Sequence, residues 1–487
     1  MLFNSLQFLL FFPIVTILYF LLPHKFRWMH LLAASCIFYM AFIPVYIFIL
    51  LFTIVIDYIA GRVIENASGK RRKQYLLMSI IANVGVLCVF KYYNFFVDNI
   101  DTLLRSFQIN SHPIPFLNII LPLGLSFHTF QAMSYTIEVY RGNQKAEKNF
   151  GIYSLYVMFY PQLVAGPIER PQQLLYQFKE KHSFSAESMS SGLRLILWGM
   201  FKKVVIADRI GVIVNGVYTH PKAYSGVPLI IATLLFTIQL YCDFSAYSDI
   251  AIGTARTMGF TLMRNFNNPF SAKNMAEFWR KWHISLSSWF NDYLYTPLTL
   301  GMRDLGTTGI VLAIMITFII AGFWHGAGWN FIIFGFLSGL AIAYHLVSRK
   351  FRKSIEKTVT PKIYSGLSIV LTFLFWSFSL IFFRSRTFSD AIYIVTHLFS
   401  GIVPVNGLSA YLHTLGITLF YSKFQMVFTV FLILVLFCVE VFALRTHIRK
   451  VFFTMSSWQR WSAYYILILM ILVYGEMNKT QFIYFQF

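Results

Sequence analysis

Apolar runs of about 20 residues, each long enough to cross a bilayer, recur along almost the whole of this chain. No linker and no soluble stretch of domain size separates them. Charged residues make up 12% of the sequence and hydrophobic ones 57%, whereas an ordinary soluble domain carries about 25% charged residues. The expected fold is therefore all-α. It is a polytopic integral membrane protein with roughly 10–13 transmembrane helices plus re-entrant or interfacial helices. Residues 1–487 then form a single membrane domain. The apolar stretch 2–22 lacks a basic leader and a small-residue cleavage site, so it reads as a retained span.

The net charge is +21. In a soluble protein that would suggest nucleic acid. Here the cations sit in short loops between apolar runs, where the positive-inside bias and anionic lipid headgroups account for them. No nucleic-acid partner is expected; membrane lipids are, and some cations also suit an anionic cytosolic substrate. The clusters are Lys70-Arg71-Arg72-Lys73; Arg141, Lys145 and Lys148; Arg349, Lys350, Arg352, Lys353 and Lys357; and Arg445, Arg449 and Lys450. Counting crossings places them all on one face, the cytoplasmic one, and leaves the N-terminus and the tail 475–487 extracytoplasmic.

Several chemistries are missing. The four cysteines, Cys36, Cys88, Cys242 and Cys438, show no paired spacing and read as small hydrophobes rather than a disulfide or zinc framework. There is no phosphate-binding or dinucleotide glycine loop and no H-E-x-x-H. No histidine pair has metal-ligand spacing on one helix. Neither a metal nor a bound cofactor is expected.

Ionisable and polar groups inside apolar sequence each need a reason. Gly322-Phe323-Trp324-His325-Gly326-Ala327-Gly328-Trp329-Asn330 sets an imidazole beside tryptophan, between glycines that permit close helix approach or a break. A neutral histidine there can act as a base on a hydroxyl. Local sequence alone favours the plainer reading, a hydrogen-bonded core histidine with packing glycines. The segment 277–287 carries His283; as one helix, it would align Trp279, His283, Leu286 and Phe290 on a buried face. An interfacial helix with a tryptophan belt explains the same residues. Asp243 and Asp249 lie six apart in Tyr241-Cys242-Asp243-Phe244-Ser245-Ala246-Tyr247-Ser248-Asp249. They suit a proton path or, more simply, pairing with Lys202, Lys203 or Arg256. The terminus, Phe482-Ile483-Tyr484-Phe485-Gln486-Phe487, either lies in the interface or inserts into the protein and presents the Tyr484 hydroxyl. His128 stands isolated, as a structural or pore-lining residue.

Together these stretches resemble the bacterial membrane-bound O-acyltransferase (MBOAT) family, in particular its polysaccharide O-acetylation branch of alginate and peptidoglycan O-acetylation membrane proteins. The teichoic acid D-alanyl transfer proteins are more distant. The residues that carry the likeness are 159–168 (Phe-Tyr-Pro-Gln-Leu-Val-Ala-Gly-Pro-Ile), Tyr241 to Ser245, Tyr247 to Gly253, Asn265-Phe266-Asn267, Glu277 to Ser287, Asp292 to Tyr295, and Trp324 to Ala327. The sequence departs from the family pattern at Ser338-Gly339, where members often carry His-Gly, and at Phe334.

The resemblance implies the MBOAT fold, helices around a thinned, funnel-like centre, with a catalytic core over residues 113–345. His325 matches the nearly universal family histidine, and His283 the second one of the bacterial branch. One serves as base and the other as helper. Tyr484 matches a terminal tyrosine proposed to carry the acyl group transiently. Asp243, Asp249, Trp324 and Asn330 are supporting candidates. The implied activity is transfer of an acyl group, most simply acetyl from cytosolic acetyl-CoA, across the bacterial inner (cytoplasmic) membrane. Its destination is an extracytoplasmic cell-surface polysaccharide, through an SGNH or esterase-like acetyltransferase partner or a polysaccharide-modification protein. The competing readings are a glycan-precursor transporter and a scaffold for export machinery. A transporter often shows two related halves with broken helices in matching places, and no such repeat is visible in the sequence.

Overall fold

The computed structural model describes residues 1–109, 114–401, 419–420, 422–445, 454–476 and 482–483, and among these all regular structure is helical. Among the described residues, seven helical stretches are both long and apolar enough to cross a membrane: Pro44–Asn66, Gly69–Ser106, Val227–Thr257, Arg303–His325, Trp329–Val347, Pro361–Arg384 and Lys423–Val441. The wider expectation of roughly 10–13 also took in shorter apolar runs, such as that of Leu6–Leu21, a helix of 16 residues. The protein is an all-α, multi-pass membrane protein.

The chain forms two compact units. The first comprises Met1–Ile196, Ser248–Arg264 and Gly326–Gly328, and the second Leu197–Tyr247, Asn265–His325 and Trp329–Phe487. In chain order the helices of the first unit are α1 (Leu6–Leu21), α2 (His24–Met40), α3 (Ile47–Asn66), α4 (Gly69–Leu87), α5 (Tyr93–Ser106), α6 (Leu125–Arg141), α7 (Phe150–Met158), the single turn α8 (Pro171–Leu174) and most of α9 (Ala186–Met200). A buried polar web ties three of them together. The Asp57 carboxylate of α3 accepts hydrogen bonds from Ser79 Oγ (2.6 Å) and Asn83 Nδ2 (2.9 Å) of α4, and Ser79 in turn lies 2.9 Å from Thr136 Oγ1 of α6. Each polar group so removed from water has a partner, which burial demands.

The apolar run 114–133 does not become one helix. Residues 114–124 stay non-helical and α6 starts at Leu125. Pro115 and Pro122 lack an N–H and push the preceding residue out of the helical region, and Gly124 is left-handed at φ 75°.

The second unit holds α10 (Asp208–Thr219), α12 (Met275–Lys281), α13 (Ile284–Phe290), α14 (Thr296–Gly301), α15 (Gly306–His325), α16 (Trp329–Val347), α17 (Arg349–Thr358), α18 (Pro361–Arg384), α19 (Phe388–His397), α20 (Lys423–Arg445) and α21 (Ser457–Tyr474). The 31-residue α11 (Val227–Thr257) belongs to it up to Tyr247. At 1.5 Å per residue α11 spans about 46 Å, more than a bilayer's hydrocarbon core.

The glycines around the motif at 322–328 have a concrete use. A methyl group at Gly322 would sit 2.2 Å from the Phe331 carbonyl oxygen and 2.8 Å from Gly335 Cα, and one at Gly335 would sit 2.2 Å from the Phe318 carbonyl oxygen. α15 and α16 therefore pack backbone against backbone, as small residues allow in membranes. The hairpin holds its tip, His325, on a rigid element.

Candidate active site

His283 is not on the continuous helix that the spacing of Trp279, His283, Leu286 and Phe290 suggested. α12 ends at Lys281, Trp282 is extended, and His283 is left-handed at φ 44° and ψ 54° before α13 begins. Histidine is among the few residues enriched in this region. The break turns His283 away from a simple stripe. A short backbone pairing holds it: Asn267 N–H donates to Lys281 O, and Ile284 N–H donates to Asn265 O, both at 2.9 Å.

The side chain of Asn265 sets the chemistry of His283. Asn265 Oδ1 accepts from the Ser285 backbone N–H (3.3 Å) and lies 3.0 Å from Ser285 Oγ and 3.1 Å from His283 Nδ1. A backbone N–H only donates, so the Asn265 atom facing it is the oxygen. His283 Nδ1 must then carry the proton and donate to it, which leaves the lone pair on Nε2. The residue is fully buried, with its ring edge-on to Phe244 of α11 at 4.6 Å. Burial, and then the charge of a protonated His325, push His283 well below the ordinary imidazole range. The resting side chain is a neutral imidazole with a fixed tautomer.

His325, the last residue of α15, is buried in an aromatic cage. Its ring centroid lies 4.9 Å from Trp324, 5.4 Å from Phe383 of α18 and 5.9 Å from Phe334 of α16. Trp324 also approaches His283, at 6.4 Å between ring centroids. The two histidines, 42 positions apart in sequence by subtraction, thus share one buried region of the second unit. Two like charges there would repel in low dielectric.

Asn330, in the first turn of α16, donates from Nδ2 to the Ser385 carbonyl oxygen at 3.0 Å. Its buried Oδ1, the buried indole N–H groups of Trp279 and Trp376, and Ser338 Oγ have no hydrogen-bond partner among the described residues. These are groups that a polar ligand would satisfy. Trp376 packs on Trp279 and Phe334 at 5.5 and 5.6 Å, so the set adjoins the His325 cage.

Of the two acidic candidates, Asp243 is paired: Lys203 Nζ lies 2.7 Å from its Oδ1 and 2.8 Å from Asp208 Oδ1. The simpler of the two sequence readings holds for it. Asp249 belongs to the first unit and is half-buried there. Tyr484 lies outside the described residues. Of the cysteines only Cys242 is fully buried; Cys88 and Cys438 are exposed on the protein's surface. Sequence reasoning missed the role of Asn265, whose only signal was its place in Asn265-Phe266-Asn267, and it missed Phe383 of the cage and the adjoining Trp376, which carry no motif; Phe334 stood out only as a departure from the family pattern.

The sequence profile described as MBOAT, membrane-bound O-acyltransferase family, matches residues 144–384, a stretch containing both histidines, Trp324, Asn330 and both aspartates. A probable alginate O-acetylase of Pseudomonas aeruginosa is 34% identical over 394 residues, covering 80% of this chain and 73% of the relative. The chain belongs to the membrane-bound O-acyltransferase family. A peptidoglycan O-acetyltransferase of Helicobacter pylori is 33% identical over 406 residues, covering 78% of this chain and 74% of its own length. More distantly, a teichoic acid D-alanyltransferase of Bacillus subtilis is 28% identical over 296 residues, covering 57% of this chain and 73% of the relative. This MBOAT member is a membrane acyltransferase using an acyl donor, which answers the transporter and scaffold alternatives.

Proposed function

We propose that this protein O-acetylates an extracytoplasmic cell-surface polysaccharide from a cytosolic thioester, acetyl-CoA, using His325 and His283 as its catalytic pair. The observation that carries the reading is the juxtaposition of the two histidines in one buried region, one of them fixed as a neutral Nδ1–H tautomer by Asn265. The relatives named for acetylating alginate and peptidoglycan support the acetyl group and the polysaccharide class.

The transfer runs in two steps, each easier than direct transfer. The Tyr484 oxygen attacks the thioester carbonyl carbon; a C–O bond forms, the C–S bond breaks, and the phenol proton passes to His325. The thiolate leaves and takes that proton as free thiol. His283 stays neutral beside the imidazolium. An acceptor hydroxyl then attacks the aryl ester carbonyl carbon; its C–O bond forms, the C–O bond to Tyr484 breaks, and the Tyr484 phenolate takes up the proton that the acceptor hydroxyl gives. An SGNH or esterase-like extracytoplasmic acetyltransferase carries out this second transfer to the glycan. Loop charge supports the orientation: basic clusters face the cytosol of a bacterial inner membrane, and both termini face outward. Residues 113–345 are the catalytic core of a single membrane domain. Trp324, Asn330 and Asp243 support the site.

Replacing Tyr484 with Phe tests the relay. Glycan acetylation in cells, measured at equal protein level, is expected to fall to background. Normal acetylation would remove Tyr484 from the pathway.

A further inference from the structure

A buried ion cluster is expensive to desolvate and is weak evidence of stability. The one built from Lys203, Asp208 and Asp243 has an occupant. Lys203 is 1% exposed and sits in a widened, π-helical stretch, Phe201–Ala207, that leads directly into α10. Its ammonium bonds Asp208 Oδ1 and Asp243 Oδ1. The second oxygen of Asp243 is turned elsewhere: Oδ2 accepts the backbone N–H of Ile483 at 2.8 Å, across 240 residues of sequence. The Lys203 ammonium also lies 4.3 Å over the ring of Phe482, and Tyr247 meets the same ring edge-on at 4.9 Å. Phe482 is 1% exposed and Ile483 6%.

The approach to this seat is held at a second place. Glu476 N–H donates to the Val204 carbonyl oxygen at 2.9 Å, and Arg209 donates to the Tyr474 carbonyl oxygen at 2.8 Å. The helical stretch 201–209 thus holds the chain at 474–476 by its main chain and, through Lys203 and Asp243, at 482–483 as well. A cation over an aromatic face and a carboxylate on a main-chain amide both gain strength away from water.

We infer that the Lys203–Asp208–Asp243 cluster is a latch that seats the C-terminal tail through the Ile483 amide and the Phe482 ring, making Asp243 a positioning residue for acyl transfer. This rests on the proposed use of Tyr484, which follows Ile483 in the chain. A proton path needs Asp243 to change protonation state. A latch needs it to remain a carboxylate with both oxygens occupied.

Two variants test the latch without dismantling the fold. Asp243→Asn leaves Lys203 and Asp208 as a neutral pair. Ile483→Pro removes the donor and leaves the ion cluster untouched, with Ile483→Leu as the conservative control. Hydrogen–deuterium exchange of the C-terminal peptide is followed in the full-length protein, alongside label transfer from acetyl-CoA to the tail. Loss of a hydrogen bond to a charged group corresponds to about a tenfold to hundredfold change. Tail exchange should accelerate by that factor in Asp243→Asn and Ile483→Pro, and kcat for tail acylation should fall similarly with donor KM unchanged. Ile483→Leu should match the wild type. Unaltered exchange in both variants overturns the latch. Released tails with wild-type acylation overturn the positioning role. Tyr484→Phe separates the two claims: it keeps slow exchange whether or not the relay exists, so a failed relay leaves the exchange contrast standing.

Discussion

The two histidines stand in contrasting surroundings. His283 sits in an irregular crossover between two seven-residue helices, oriented by polar atoms: Asn265 Oδ1, the Ser285 hydroxyl and a short backbone pairing. His325 ends a 20-residue helix whose backbone packs directly on α16, and its neighbours are aromatic rings. One region fixes a tautomer by hydrogen bonding; the other fixes a position by steric packing. A base needs both a defined lone pair and a defined place, and in the proposed centre the two tasks are divided between the histidines.

The contrast breaks most directly at His325. Replacing it with Ala removes the proposed proton acceptor, and label transfer from acetyl-CoA should fall on the order of a thousandfold, the range of acid–base catalysis. Full activity in a well-folded variant would end the assignment. The packed region is next. Gly335→Ala drives a methyl group against the Phe318 carbonyl oxygen, so the thermal transition in detergent should drop by the equivalent of about 1–3 kcal/mol. An unchanged transition would mean that the hairpin tolerates separation.

The polar region should respond more mildly and in kind. Asn265→Ala leaves the His283 tautomer free, and kcat should fall about tenfold, the worth of one buried hydrogen bond, with the melting transition nearly kept. A loss confined to donor KM would show that Asn265 serves binding instead. Asn265→Asp sharpens the point by charge. The imidazole of His283 begins well below its ordinary range, so it remains neutral at neutral pH. A carboxylate beside Nδ1–H favours the imidazolium and raises that value. The acid limb of the pH–rate profile should therefore move to higher pH. An unmoved limb would take His283 out of the rate-limiting protonation.

The helical membrane class was legible from the repeating apolar runs. Two places were not. Residues 114–124 are apolar yet non-helical, because hydropathy weighs side chains and overlooks the prolines and the left-handed Gly124. The helix through 277–290 breaks at His283, because periodicity assumes a continuous backbone and no glycine or proline marks the break. Both histidines were visible in sequence as imidazoles in apolar surroundings. What joins them, Trp324 between the rings and the cage from α16 and α18, is long-range packing with no local signature. Lys203 and Asp243 were visible as a candidate pair. That their second function is to hold Ile483 could not be read from sequence, since a main-chain amide leaves no mark on residue type.

The most direct measurement is label transfer in the purified full-length protein from acetyl-CoA labelled in the acetyl group, comparing the wild type with His325→Ala and His283→Ala variants of equal melting temperature. Stable label on the wild-type chain, and its loss in both variants, is the predicted result. Wild-type labelling in both variants would contradict the paired-histidine centre.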